Sequence, residues 1–336
     1  MIAELGLALP VETLGLRAAV ELGVAAERLG FGSVWSSEVA AADAFIPLAA
    51  IARETERVRL GVAVVPAGTR PAALLAMQAA ALAALSDGRF VLGVGASSRT
   101  IVESWMDSGP YLPAQTRVRE TIEVLRRILT GERTSFRGET VSVDGFSLEA
   151  PPAWVPLLVG ALRPGSYRLA GEIADGVVAT LVAPEGLAAL VPELERGARE
   201  AGRDPAELEV ACRIVVALDE DSAELRRALR RMLGAYSSVP AYAASFTAQG
   251  FAEEVDAIRA AWRDRDREAA VAQVSERMLT RLTVLGPEEA CVARLREYAA
   301  AGVATPIVVP VTAKPEPQRA VEAAVERLAS LLVEAP

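Results

Sequence analysis

The sequence predicts an α/β fold, a closed (β/α)8 barrel of the TIM type. Short apolar runs alternate with longer helical patterns almost from the first residue, and they amount to about eight strand and helix pairs. Several runs, such as 62–65 and 307–309, are continuously apolar, which is typical of parallel strands covered on both faces. Eight pairs in one chain favour the closed barrel over an open doubly wound sheet.

The individual elements follow from these patterns. The predicted strands are 2–9, 33–37, 59–65, 89–95, 155–159, 176–180, 208–218 and 305–311. The predicted helices are 13–29, 45–54, 71–85, 116–129, 164–173, 184–201, 222–235 and 316–333. Gly30 after the first helix, prolines at 71 and 164 in first turns, and Ser222 as a cap fit these boundaries.

We expect a single domain, residues 1–336, with insertions near 97–113, 131–152 and 237–281. The second insertion contains a predicted hairpin, with Asp144-Gly145 as its turn. The third is mostly helical and polar, and its run of alternating charges at 263–267 is interpreted as a solvated face. Insertions of this length can act as lids or subunit contacts at the rim of a barrel.

Composition excludes several kinds of chemistry. The chain contains no histidine, so catalytic triads, histidine metal sites and an imidazole general base are excluded, and no metal site is predicted. With 35 basic and 44 acidic residues the net charge is −9, which disfavours nucleic acid and anionic membranes as partners. Cys212 and Cys291 are interpreted as reduced core residues. No apolar run approaches about 18 residues, so we expect a cytoplasmic protein acting on a small molecule.

Candidate binding residues lie where predicted strands end, because function in such barrels collects at the carboxyl ends of the strands. Residues 93–98, Gly-Val-Gly-Ala-Ser-Ser, offer backbone N–H groups and two hydroxyls to a phosphate, or form a tight turn that needs small residues. Residues 160–165 join a strand directly to a helix start. Arg163 could pair there with an anion, or be an exposed arginine in a short loop.

Carboxylates at strand ends are the candidate acid–base groups. Glu38 ends the second strand before four uncharged residues, and is interpreted as either an acid–base residue or a solvated helix cap. A glycosidase would need a second carboxylate across the mouth. Asp219 ends another strand, but with Glu220 and Asp221 it is typical of a solvated acidic loop, which disfavours glycoside hydrolysis.

Segments along most of the chain resemble one known family. They include Gly-Phe-Gly-Ser-Val-Trp-Ser-Ser-Glu at 30–38, Ser-Asp-Gly-Arg-Phe-Val-Leu-Gly-Val-Gly at 86–95 and Leu-Ala-Gly-Glu-Ile-Ala-Asp-Gly at 169–176. In this order and spacing the chain resembles the luciferase-like monooxygenase superfamily. Within it, the chain is similar to the oxidoreductases that use the deazaflavin coenzyme F420, typified by methylenetetrahydromethanopterin reductase. The family fold is a (β/α)8 barrel with insertions.

The resemblance implies a cofactor site. The deazaflavin ring would stack on a bulge at the end of the third strand, often a non-proline cis peptide, which corresponds to Ala63-Val64. The phosphate would meet the segment after the fourth strand and then the loop after the fifth, and Thr180 would lie near the ring. The implied cofactor residues are Ala63, Val64, Gly95, Ser97, Ser98, Gly160, Ala161, Arg163 and Thr180. The cofactor is expected to be F420, with FMN as the alternative.

The resemblance also implies an activity. Family members often carry an acidic residue followed by histidine at the end of the second strand, and here Glu38 is followed by Val39. We therefore expect an F420-dependent reductase or dehydrogenase that transfers a hydride without histidine, with Glu38 as acid or base. An FMN-dependent monooxygenase and a catalytically silent binding or structural protein are the alternatives.

The substrate walls and the oligomeric state are open at this stage. Candidate substrate-side residues, which could equally be core or lid packing, are Leu7, Trp35, Trp105, Met106 and Tyr111. The resemblance favours a homodimer. The apolar helices at 45–51 and 71–85 could supply its interface, or be buried within one chain.

Overall fold

A computed structural model describes residues 4–152 and 154–333, with side chains to residue 330. The strands are β1 Gly6–Ala8, β2 Ser33–Ser36, β3 Arg59–Pro66, β4 Phe90–Gly95, β5 Thr134–Arg137, β6 Ser142–Phe146, β7 Leu157–Gly160, β8 Gly176–Thr180, β9 Glu209–Leu218, β10 Val284–Gly286 and β11 Thr305–Pro310. The first seven helices are α1 Val11–Leu14, α2 Leu16–Leu29, α3 Phe45–Glu54, α4 Ala72–Leu85, α5 Ala114–Leu129, α6 Pro164–Ile173 and α7 Pro184–Glu200. The remainder are α8 Ala223–Ser238, α9 Pro240–Ala248, α10 Ala252–Arg263, α11 Arg267–Ala272, α12 Glu276–Leu282, α13 Glu288–Ala300 and α14 Pro317–Val333. A π-helix covers Thr100–Trp105 and a 3-10 turn covers Pro205–Glu207.

Eight parallel strands close into a barrel, which confirms the predicted fold class. They follow the order β1-β2-β3-β4-β7-β8-β9-β11, and the pairings of β11 with β1 and of β8 with β9 leave no open edge between them. The short strand β10, which the sequence reading missed, extends this pattern by pairing with the end of β9. The closed barrel brings all eight carboxyl ends to one rim.

Two apolar layers surround the strands. The residues that point into the barrel are small or aromatic and form one cluster: Ala8, Trp35, Ala63, Val91, Leu158, Val178, Ala211 and Ile307. The alternate residues point outward and pack with the surrounding helices in a larger core. Because both faces of each strand are buried, the strand sequences are continuously apolar.

Most predicted boundaries hold, and one helix is divided. The helices α3 and α6 begin and end where the sequence predicted. The predicted helix 13–29 is interrupted at Gly15, whose φ of 77° favours glycine, so α1 and α2 are separate. Gly30 ends α2 in the left-handed region, and the Ser222 hydroxyl caps α8 by accepting from the Leu225 N–H at 3.1 Å. Residues 2 and 3 of the predicted first strand lie outside the described residues.

The predicted hairpin is present, but its predicted turn is wrong. β5 and β6 pair antiparallel, and the turn lies at 138–141, where the Gly138 N–H donates to the Val141 carbonyl at 2.9 Å. Asp144 and Gly145 belong to β6. The reason is a tertiary contact: the Glu120 carboxylate on α5 accepts from the N–H groups of Glu139, Thr140 and Val141 at 2.7, 2.7 and 2.8 Å.

The third insertion forms a second small core at the rim. Helices α8 to α12 pack together and against Val215 and Ala217 at the end of β9. The charged run at 263–267 joins α10 to α11 and is exposed, as predicted, with Arg267 stacked on Trp262 at 3.6 Å. Both cysteines are free and buried, as predicted. Among the described residues, no helix is long and apolar enough to cross a membrane.

Candidate active site

The predicted bulge is present towards the end of the third strand. The Ala63–Val64 peptide bond is cis, and the pairing of β3 with β4 shifts register between Val62 and Val65. Glycines that end the next two barrel strands, β4 and β7, make room for the Val64 side chain. A Cβ atom on Gly95 would lie 2.5 Å from Val64 Cγ2, and one on Gly160 would lie 3.2 Å from the same atom. Val64, Gly95 and Gly160, here called the β3 ledge, therefore form a surface that larger side chains would fill.

An unsatisfied hydroxyl follows the ledge. Ser97 has a φ of 62°, and its Oγ is buried with no hydrogen-bond partner in the described chain. Its carbonyl accepts from the Tyr111 hydroxyl at 3.2 Å, while the Ser98 Oγ accepts from the Ile101 N–H at 3.4 Å at the start of the π-helix. A buried hydroxyl without a partner is costly unless a ligand supplies one, so Ser97 fits the phosphate role that the resemblance implies.

Two arginines, Arg99 and Arg163, lie near Tyr111, whose hydroxyl donates to the Ser97 carbonyl. Arg163 precedes α6, is exposed, and within the described ranges its guanidinium has no ion pair or hydrogen bond. Arg99 stacks over the Tyr111 ring at 5.7 Å and pairs with Glu103 at 2.6 Å. Burial raises the pKa of Tyr111, and the charges of Arg99 and Arg163 act against that shift. Ala161 is less suited to an anion than predicted, because its N–H donates to the Val178 carbonyl at 3.1 Å.

Solvent reaches the barrel interior at the rim. Five inward positions are partly exposed, either close to the carboxyl end of their strand or, for Arg213 in the middle of β9, level with the last residue of β8: Val64, Gly160, Thr180, Arg213 and Val309. Thr180 and Arg213 are register partners on β8 and β9. These positions, here called the barrel mouth, bring the predicted residues Val64, Gly160 and Thr180 together and add Arg213, which the sequence reading missed because it lies inside an apolar run.

Glu38 is neither a lone carboxylate nor a helix cap. It is buried, both of its oxygens accept from Arg70, and Oε2 also accepts from the Ala44 N–H at 3.2 Å. Arg70 bridges to Asp43 at 2.8 Å, and the hydrogen bond with Glu38 raises the pKa of Arg70. Asp43 caps α3 by accepting from the Phe45 N–H at 2.7 Å. The sequence reading missed Arg70, which follows β3 in Gly-Thr-Arg-Pro with no local sign of a partner 32 residues earlier.

The remaining candidates separate into rim and core residues. Val39, at the place of the family histidine, is exposed, and so are Trp105 and Met106. Trp35 lies inside the barrel, where its indole N–H donates to Ser33 Oγ at 2.7 Å. Leu7 faces the helix layer, so Leu7 and Trp35 are core packing and only the rim residues can meet a substrate.

The acidic loop after β9 is less solvated than predicted. Asp219 and Asp221 are exposed, but Glu220 is buried and accepts from the Thr312 hydroxyl at 2.6 Å and the Ala313 N–H at 2.8 Å. Glu220 therefore ties the end of β9 to the segment after β11.

Similarity to one known protein family extends over most of the chain. The luciferase-like monooxygenase family matches residues 3–305. The chain belongs to that family. The resemblance seen in the sequence is thus confirmed.

The similar proteins include F420-dependent enzymes. A 5,10-methylenetetrahydromethanopterin reductase of Methanolobus tindarius is 31% identical over 204 residues, 60% of this chain and 62% of that protein. A putative coenzyme F420-dependent oxidoreductase of Mycobacterium tuberculosis is 27% identical over 86% of this chain and 89% of that protein. The solved coenzyme F420-dependent tetrahydromethanopterin reductase of Methanopyrus kandleri superposes with a TM-score of 0.79 at 24% identity, covering 96% of this chain and 97% of that one.

Proposed function

We propose that this luciferase-like protein is an F420-dependent oxidoreductase that transfers a hydride between the deazaflavin and a small organic substrate at the barrel mouth. The observation that carries the proposal is the Ser97 hydroxyl, which is buried without a hydrogen-bond partner among the described residues and follows Gly95 of the β3 ledge by two residues. The names of the similar proteins support the choice of F420 over other flavin-like groups.

In this proposal the chain supplies position and the cofactor supplies the hydride chemistry. The β3 ledge gives a flat ring a surface to stack on, since Gly95 and Gly160 have no side chains to displace Val64, whose methyl groups occupy the space beside them. Ser97 donates to a phosphate, Ser98 adds a second hydroxyl, and Arg163 pairs with the negative charge at the start of α6. Thr180 at the barrel mouth faces the ring from the sixth barrel strand.

Any proton transfer must occur without an imidazole, because the chain has no histidine. Glu38 is the proposed acid–base group. Arg70 donates to both oxygens of Glu38, so the carboxylate is held in one orientation after β2.

Fluorescence quenching tests the cofactor directly. Purified protein is titrated with F420 and, separately, with FMN, and the Arg163→Gln variant serves as a site control. We expect tight binding of F420, weaker binding by the variant, and weak binding of FMN. Tight FMN binding with no response to F420 would contradict the proposal and favour a monooxygenase. Failure to bind either cofactor would favour a catalytically silent protein. The exposed Val39, in the position of the family histidine, is the observation that supports this alternative.

We also propose that the protein is a homodimer that pairs through α3 and α4. Helix α4 contains no charged residue, yet Leu74 and Met77 are exposed on its outer face, beside the exposed Ile46 on α3. A helix that is apolar on all sides is normally buried on all sides. A second copy of the same face would cover it with matching chemistry.

The expected setting is the cytoplasm, with a small molecule as the partner. The net charge of −9 supports a small-molecule partner over nucleic acid.

A further inference from the structure

We propose that Arg213 binds an anionic group of the substrate, so that the substrates of this enzyme are small organic acids or phosphate esters. The inference rests on the proposed oxidoreductase function and names the class of molecule that the barrel mouth accepts.

Arg213 points into the barrel. On β9 the residue two positions earlier, Ala211, belongs to the inward cluster, while Cys212 and Ile214 pack in the outer core. Strand side chains alternate between faces, so Arg213 shares the inward face of Ala211. Its register partners are Thr180 on β8 and Ile307 on β11. Arg213 is partly exposed, so its guanidinium is within reach of a molecule in the mouth.

The charge of Arg213 is not balanced by the protein. Within residues 4–152 and 154–333, no carboxylate and no hydrogen-bond acceptor pairs with its guanidinium. Other arginines near strand ends do have partners: Arg70 pairs with Glu38, and Arg59 pairs with Glu209 at 2.9 Å. A cation inside a barrel costs free energy unless an anion accompanies it, and because Arg213 is partly exposed a ligand can supply that anion.

Nearby polar groups are also donors. Tyr236 on α8 and Tyr242 on α9 stack at 4.6 Å, and neither hydroxyl has a partner in the described part of the chain. Burial raises the pKa of Tyr242, with Arg213 acting against the shift, so this phenol stays protonated at neutral pH. The acids after β9 are engaged elsewhere: Glu220 binds the segment after β11, and Asp219 accepts from the Glu288 N–H at 3.1 Å. A cation and hydroxyls without competing carboxylates are a suitable site for an oxyanion.

The position of Arg213 assigns the anion to the substrate. In the closed order of eight strands, β9 lies four strands from β3 in either direction, so Arg213 faces the β3 ledge across the mouth. A ring seated on the ledge turns its free face toward β9. The proposed phosphate residues, Ser97 and Arg163, follow β4 and β7 on the ledge side. The molecule nearest Arg213 is therefore the one that lies over the ring.

Calorimetric titration of the F420-saturated protein tests the inference with three probes: benzoate, inorganic phosphate and the neutral benzamide. The variants are Arg213→Gln, the charge-retaining Arg213→Lys, and Arg17→Gln as a control for loss of one exposed positive charge. Circular dichroism and F420 affinity are measured for each. We expect at least one anion to bind at millimolar concentration, benzamide not to bind, and Arg213→Gln to weaken the anion about tenfold. Arg213→Lys retains part of the affinity, and Arg17→Gln is unchanged.

Two results would overturn the inference: no anion binding by the native protein, or equal binding by Arg213→Gln. A loss of F420 affinity in Arg213→Gln with anion binding intact would assign the arginine to the cofactor, which also overturns it. If the native protein does not bind F420, the proposed function fails. The same titrations on the cofactor-free protein then still decide whether Arg213 binds anions.

Discussion

The Arg70 guanidinium donates to both oxygens of Glu38, so the carboxylate at the end of β2 is fixed by the loop that follows β3. The same guanidinium reaches Asp43, which caps α3. Two acidic residues and one arginine thus connect three consecutive elements at the rim. This cluster holds the loop 38–44 in place, together with the fully buried Ala44.

Replacing Arg70 with Gln should destabilise the protein by about 3 kcal/mol, because it leaves the buried Glu38 carboxylate without its cation. Urea unfolding at neutral pH measures the loss. The Arg70→Gln/Glu38→Gln double variant should recover part of it, since it removes the unpaired charge. If the double variant is as unstable as the sum of the single variants, the pair does not act as a unit.

Gly95→Ala should weaken F420 binding and lower stability together. Its Cβ atom would lie 2.5 Å from Val64 Cγ2, so the ledge would have to shift. Gly234→Ala is the matched control. Gly234 lies within helix α8, and a Cβ atom there would be 3.8 Å from the Ala270 carbonyl oxygen, so we expect the free energy of unfolding to rise by about 0.5–1 kcal/mol. Thermal unfolding and F420 quenching of both variants check the contrast. Unchanged cofactor affinity in Gly95→Ala would remove the ledge from the proposed site.

Ser97→Ala should separate binding from stability. The Ser97 hydroxyl is buried without a partner, so its removal costs the free protein nothing or stabilises it slightly. If the hydroxyl serves a phosphate, F420 affinity should fall about tenfold, the effect of roughly one hydrogen bond to a charged group. Ser98→Ala is the comparison, since it removes an acceptor for the Ile101 N–H and should reduce stability. A Ser97→Ala variant with lower stability and native affinity would show a structural role only.

The Glu120 carboxylate should make stability depend on pH. Burial alone would raise its pKa, but hydrogen bonds from the Thr140 hydroxyl and the N–H groups of 139–141 lower it below the usual value. A group with a lowered pKa in the folded state stabilises the protein above its unfolded pKa, about 4.3 for Glu. That contribution is lost as the pH falls through the folded pKa.

Glu120→Gln should therefore cost about 2 kcal/mol at pH 7 and progressively less in acid. Urea unfolding at several pH values measures the difference. Glu123→Gln on the same helix is the control: it removes a half-exposed pair with Arg127 and should cost less than about 1 kcal/mol at any pH. If the loss of stability in Glu120→Gln does not depend on pH, then packing, and not the charge of Glu120, holds the hairpin turn.

Glu120 also explains why the position of the hairpin turn could not be predicted from the sequence. Asp144-Gly145 has the stronger turn composition, yet the hairpin turns at Gly138, where a Cβ atom would lie 2.3 Å from Glu120 Cδ. Four hydrogen bonds to the Glu120 carboxylate, about 20 residues earlier in the chain, outweigh the local turn preference of Asp144-Gly145. No local sequence pattern reveals these bonds. Barrel strands and helix ends were predictable because alternation, capping and glycine act locally. Arg70 and Arg213 were not, because an ion pair and an inward-facing cation depend on which strands become neighbours.

Met77→Glu should convert a dimer into a monomer. Met77 is 49% exposed in the single chain, as are, to a similar degree, Leu74 on the same helix and Ile46 on α3. Burying one carboxylate from each copy at such an interface leaves two unpaired charges, which costs several kcal/mol. Light scattering after size exclusion at micromolar concentration measures the mass. Leu16→Glu, a matched change at an exposed leucine on α2, should leave the mass unchanged. If the native protein is already monomeric, or if Met77→Glu stays dimeric, the α3–α4 face is not the interface.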